Sequence, residues 1–156
     1  MGLILSLRVY GILMNEAREV LVSDEYIRGA YYTKFPGGGL EIGEGTRDCL
    51  KREFKEEMNL EVAIGDHIYT TDFFQKSAFN SAHQILAVYY FATALEEITI
   101  KLGSRDFDFD EHQLKLYSET QQIEAFRFIE WEKFSPDTVT LPIDKIVAAM
   151  IKEKFY

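Results

Sequence analysis

With 156 residues, 47% of them hydrophobic, the chain is sized for a single domain, 1–156, that buries about 70% of the surface its unfolded form exposes. Its formal net charge of −9, with no local basic cluster, opposes the stripe of Lys and Arg by which proteins track nucleic-acid phosphates. The same negative field repels a free nucleotide, so a phosphorylated small-molecule substrate has to arrive with a divalent cation.

Residues 3–14, LILSLRVYGILM, place Leu5, Leu7 and Val9 on one face and Ser6, Arg8 and Tyr10 on the other, which predicts a strand. The run is short and interrupted by Ser6 and Arg8, so it supports neither a membrane span nor a secretory signal. Strand-like runs follow at 18–23 and 28–35. A Gly-rich loop from Pro36 to Gly45 then leads into a helical pattern from Thr46 to Met58. Further strands are predicted at 61–75, 83–94, 97–102 and 122–131, with β-branched and aromatic residues dense in AVYYFATA and IEAFRFIEW. The stretch 103–121 is long and charged and reads as a mobile loop of the kind that often carries function. The chain closes on IDKIVAAMIKEKF, where Ile143, Ile146, Val147, Met150 and Ile151 follow helical spacing behind Pro142 and run on to Phe155. A mixed sheet packed between helices, of α/β (α+β) class, is the expected fold. Cys49 is the only cysteine, so no intrachain disulfide forms, which fits a reducing, cytoplasmic location.

The chemistry concentrates in Gly38-Gly39-Leu40-Glu41-Ile42-Gly43-Glu44-Gly45 and Arg52-Glu53-Phe54-Lys55-Glu56-Glu57-Met58-Asn59-Leu60. At about 100° per residue, Glu56 and Glu57 fall roughly 60° and 40° to either side of Glu53, so three carboxylates share one helix face. Leu50, Phe54 and Met58 form the adjoining apolar stripe. An amphipathic helix with a solvated acidic face is the bland alternative. It fares poorly here, because Glu56 and Glu57 crowd the last turn, where the helix dipole disfavours an anion by about 0.3–1 kcal/mol. A hard divalent cation with oxygen ligands relieves both the mutual repulsion and the dipole.

This stretch resembles a Nudix box: Gly, five residues, Glu, seven residues, then Arg-Glu-hydrophobic-any-Glu-Glu-any-Gly-hydrophobic. Gly38, Glu44, Arg52, Glu53, Phe54, Glu56, Glu57 and Leu60 match it; Asn59 stands at the family's second glycine, a position that suits a left-handed residue, which Asn tolerates. The resemblance implies a Nudix-type α/β/α sandwich and a magnesium-dependent hydrolase, with manganese as the alternative ion. By the same resemblance its expected target is a diphosphate bond in a nucleoside diphosphate linked to another moiety. By that resemblance Glu53, Glu56 and Glu57 bind metal, with the Gly38 carbonyl and Glu44 as further ligands, Glu44 alternatively bonding Arg52. Arg52 orients the glutamates, and a metal-polarised water attacks phosphorus without a covalent intermediate.

Outside the box, Glu119 is the candidate general base, with Asp110, Glu111 and a box glutamate as rivals. Phe73, Phe74 and Tyr32, together with Phe79 and Tyr31, are candidates for stacking a base. His83, at the head of a strand, reads as structural or exposed rather than catalytic. The substrate itself is not legible: a subfamily marker proline is absent where Gln75 stands. The expected partner is a small nucleotide-like diphosphate, with neither nucleic acid nor membrane, and a homodimer is compatible with this reading. The rival function is a Nudix-fold sensor that binds a nucleotide sugar without cleaving it; such proteins often carry a damaged box, whereas this one is nearly complete.

Overall fold

The structure, a computed structural model, describes residues 2–154. In chain order the elements are β1 (Ile4–Leu13), β2 (Glu19–Ile27), β3 (Ala30–Lys34), β4 (Gly37–Gly39), α1 (Thr46–Met58), β5 (Val62–Thr70), β6 (His83–Ala94), α2 (Glu111–Thr120), β7 (Gln122–Glu130) and α3 (Pro142–Lys154), with a 3-10 turn at Pro136–Thr138. The fold is mixed α+β, with a mixed sheet and three helices. These elements form two compact units: Met1–Leu13 with Pro36–Thr99, and Met14–Phe35 with Ile100–Tyr156.

The first unit is a four-stranded sheet in the order β4-β1-β6-β5. β1 and β6 run parallel, from Ile4 opposite His83 to Leu13 opposite Ala92, while β4 and β5 pair antiparallel at the two flanks. The alternation of β1 is resolved as a gradient: its first half is exposed, whereas Val9, Tyr10, Ile12 and Leu13 are buried. Helix α1 covers this sheet with Cys49, Leu50, Phe54 and Met58, its apolar stripe. Gly11 is what lets the helix sit so low, since a Cβ there would lie 2.8 Å from the Phe54 ring and 3.2 Å from a Leu50 methyl.

The second unit is the antiparallel sheet β3-β2-β7, its core built from Val20, Leu21, Val22, Ile123, Phe126 and Ile129. α3 contributes Ile143, Val147, Ala148 and Ile151 to the same core. A buried carboxylate, Asp24, is fully partnered: the Arg127 guanidinium bonds both its oxygens, Thr33 Oγ1 donates at 2.7 Å and the Phe107 N–H at 3.0 Å. That satisfaction is what makes a charge tolerable at this depth.

Three expectations change. Residues 97–102 are not a strand, because alternation of Ile98, Ile100 and Leu102 forms a ladder only beside a partner, and only Leu102 bridges, to Phe126. The stretch 103–121 is not a loop throughout, since it contains α2. Asp110 caps that helix by accepting from the Gln113 N–H while the Gln113 side chain returns to the Asp110 N–H, a capping box overlooked in the sequence. The Gly-rich loop also hides β4, in which Gly37–Gly39 pairs with Arg8–Tyr10. Phe155, the end of the predicted closing helix, lies outside the described residues. No helix of the described residues is long and apolar enough to cross a membrane.

Candidate active site

The site residues of the first unit are brought together by β4 and α1, which are joined by a loop carrying Glu41 and Glu44. α1 has no side-chain cap at its start, where Gly45 is the N-cap. The Thr46 and Tyr90 hydroxyls lie 2.7 Å apart and the Arg47 guanidinium rests 4.7 Å over the Tyr90 ring, so β6 secures the first turn instead. At the other end Asn59 is left-handed, with φ 50 and ψ 41, and its N–H bonds Lys55 O at 3.0 Å. The chain thereby leaves the helix directly after Glu56 and Glu57.

Arg52 is the hub of the arrangement. Its Nε and Nη2 donate to the two carboxylate oxygens of Glu44 at 2.9 and 2.8 Å, the bidentate geometry a guanidinium favours. Nη2 also donates to Gly39 O at 2.9 Å, and Nη1 donates to Glu53 at 2.9 Å and to Glu56 at 3.1 Å. Glu41 completes the ring of acids at 3.7 Å from Nη1. The arginine is thus anchored on its loop side by Glu44 and Gly39, and presents its remaining edge to two of the box glutamates. The bond from Arg52 and the Glu41 N–H hold the Glu44 carboxyl down at about 2, and the same glutamate pushes the Arg52 pKa up. Burial, reinforced by Glu44, pushes the neighbouring Cys49 thiol up to about 12, so it stays protonated and unreactive at neutral pH.

Gly38 has its own reason to lack a side chain. A Cβ there would fall inside the Glu53 carboxylate, so the bare backbone of β4 is the space that this carboxylate occupies. Glu53 is held on one side by β4 and on the other by Arg52, and its side chain is only 13% exposed. Glu56 is exposed and Glu57 half-buried. Among the described residues, no three acidic, histidine or cysteine side chains stand together as a ready-made metal cluster. Arg52 stands between Glu53 and Glu56, supplying positive charge of its own. The donor chemistry of Glu53, Glu56, Glu57 and the Gly38 carbonyl, all oxygen, suits a hard divalent cation.

The other candidates are distributed more widely. Phe73 and Phe74 lie exposed in the segment between β5 and β6, and His83 begins β6. In the second unit Tyr32 sits half-buried on β3 opposite Glu25, and Tyr31 stacks on Tyr26 with ring centroids 4.3 Å apart. Glu119 is exposed on the last turn of α2 rather than on a loop, and Asp110 is engaged as that helix's cap. Sequence reasoning missed the parts played by Glu41, the Gly39 carbonyl and Tyr90. The first two were signalled only by their place in the Gly-rich loop, and Tyr90 by nothing short of the fold.

The NUDIX domain model matches residues 5–150. Among similar solved structures, the MutT protein from Methanosarcina mazei Go1 is 16% identical over 100% of this chain and 99% of that one, with a TM-score of 0.66. The ORF135 protein of E. coli is 14% identical over 97% and 91% of the two chains, with a TM-score of 0.65. An ADP-ribose pyrophosphatase from Streptococcus suis is 14% identical over 97% and 94%, with a TM-score of 0.55. At such identities the likeness is one of fold. A search of curated proteins finds no match to the sequence.

Proposed function

Because this chain belongs to the Nudix family, we propose that it hydrolyses the diphosphate bond of a nucleoside diphosphate linked to another moiety, at the site organised by Arg52. The observation that carries the reading is the guanidinium bound at once to Glu44, Gly39 O, Glu53 and Glu56, with Glu53 lodged against the bare backbone of Gly38.

Glu53, Glu56 and Glu57, with the Gly38 carbonyl, would hold magnesium, or manganese in its place. When bound there, such an ion would supply Lewis acidity at the diphosphate oxygens and lower the pKa of a water that attacks phosphorus. The chain's own residues do the positioning. Glu44 and Gly39 O fix the plane of the guanidinium, and the guanidinium fixes the oxygens of Glu53 and Glu56 that point toward it. Glu44 stays ionised across the neutral range, so this anchor does not loosen with modest acidification. Phe73 and Phe74, in the same unit as Arg52, are assigned as the surfaces against which a base rests.

The discriminating experiment is to incubate the protein with ADP-ribose, a UDP-linked compound and a nucleoside triphosphate, each with magnesium, manganese or chelator, and to assay both binding and phosphate-ester products. Metal-dependent release of a nucleotide product from at least one compound is the expected result. Tight binding of a nucleotide sugar with no cleavage under any ion would establish the sensor reading instead.

A further inference from the structure

Arg52 has no donor to spare for a substrate. A guanidinium carries five N–H groups, and all five are engaged: Nε with Glu44, Nη1 with Glu53 and Glu56, and Nη2 with Glu44 and Gly39 O. Glu41 and Glu57 add further negative charge around it. A diphosphate brought to so acidic a place needs a second protein cation. The same unit offers few. Arg47 is taken up with Ile64 O at 3.0 Å and with the Tyr90 ring, and Lys55 pairs with Glu61 at 3.4 Å. Lys51 is exposed, roughly 160° around α1 from Glu53, and Lys76 is bridged to Gln84 at the start of β6. Arg8, on β1, is placed differently. The Gly11 N–H donates to Pro36 O and the Leu40 N–H to Leu7 O, both at 2.9 Å, so the odd-numbered residues of β1 bond β4 and Arg8 meets Gly39 at the close, non-hydrogen-bonded position.

Adjacent residues of a strand point to opposite faces, and β4 shows the consequence. A Cβ on Gly38 would run into the Glu53 carboxylate, whereas one on Gly39 would meet Arg8 Nη1, at 3.5 Å. The bare glycine ribbon therefore has a carboxylate against one face and a guanidinium against the other, and it is the end strand of its sheet. The guanidinium is fixed in place: Arg8 Nε donates to the Tyr10 hydroxyl at 3.0 Å, and its Cζ lies 5.7 Å from the centroid of the Tyr10 ring. We propose that Arg8 binds one phosphoryl group of the diphosphate, across β4 from Glu53. The assignment rests on the function proposed above and names a substrate-binding residue for it. Acids on one face of a strand without side chains, and a cation on the other, suit a ligand with one end carrying a divalent ion and the other anionic. A diphosphate with its metal is such a ligand, and the planar fork of an arginine matches phosphate oxygens as a lysine does not.

The test is calorimetric binding of imidodiphosphate with magnesium, a diphosphate whose nitrogen bridge resists hydrolysis. Arg8→Gln should weaken its Kd by at least about 10-fold, the scale of one lost charge-assisted hydrogen bond. Arg8→Lys should recover part of that loss, and Lys51→Gln, on the far side of α1, should bind as the wild type does. Manganese titrated alone and followed by its paramagnetic resonance should bind Arg8→Gln unchanged, since Arg8 holds the diphosphate and not the ion. A wild type that does not bind imidodiphosphate, an unaltered Kd in Arg8→Gln, equal weakening in the glutamine and lysine variants, equal weakening in Lys51→Gln, or a parallel loss of manganese would each overturn the proposal. The two readings fail separately. Arg8-dependent binding of imidodiphosphate by a protein that cleaves no diphosphate would sink the hydrolase and keep the Arg8 assignment, whereas cleavage with an unchanged KM in Arg8→Gln would do the reverse.

Discussion

Arg52 is shared by Glu41, Glu44, Glu53 and Glu56, so each carboxylate around it plays a separable part. Glu57, on the same helix face, is a metal ligand in the function proposed above. Glu57→Gln should leave the circular dichroism unchanged and lower turnover by at least about 100-fold, the scale of losing metal-assisted charge stabilisation. Full activity at saturating magnesium would remove Glu57 from the catalytic set. Glu44 makes a prediction about acid. Its carboxyl is held at about 2 against an ordinary 4.5. A depressed pKa contributes stability that is present above the unfolded value and is lost as pH falls through the folded one. The urea midpoint should accordingly fall between about pH 4.5 and pH 2, and Glu44→Gln should flatten that part of the profile. An unchanged profile in the glutamine variant would place the acid sensitivity elsewhere.

At the scale of elements, α1 matters through its end. Asn59 sits at φ 50, a left-handed conformation that disfavours a β-branched residue by about 1–2 kcal/mol and hardly troubles glycine. Asn59→Gly should melt with the wild type, whereas Asn59→Val should be less stable by that amount. The valine variant should also lose on the order of 100-fold in rate, because a shift of about 1 Å in Glu56 and Glu57 degrades positioning that much. Equal melting and equal turnover for all three would show that the cap does not set the site. This element was legible from sequence because helical periodicity, the acidic face and the stopping residue all point the same way. β4 was not, since three glycines carry no strand propensity and form one only because β1 offers its edge. α2 was hidden because none of its residues is buried and its apolar pattern is correspondingly faint, although Asp110 and Gln113 did announce its start. Of the bonds around Arg52, the one to Glu44 was among the expectations drawn from the resemblance and is present; the bond to Gly39 O depends on how the loop closes.

For the whole molecule, the path of the chain is decisive. It passes between the two compact units at 13–14, 35–36 and 99–100, so neither unit is one continuous stretch that could be excised. We propose on that ground that residues 1–156 unfold as one domain, with circular dichroism and tyrosine fluorescence giving coincident urea transitions. Two separated transitions would show that the units melt independently. The same path sets an order during synthesis. Every strand of the β4-β1-β6-β5 sheet, and α1 with it, has been translated by Thr99. The unit bearing Arg52 and its glutamates is therefore able to condense while later residues are still on the ribosome. β2 and β3 are made early but must wait as a hairpin, one edge of β2 unpaired, until β7 emerges after residue 122. During that interval the nascent chain has one complete sheet and one unfinished sheet, and the unpaired β2 edge is the segment a chaperone would have to shield.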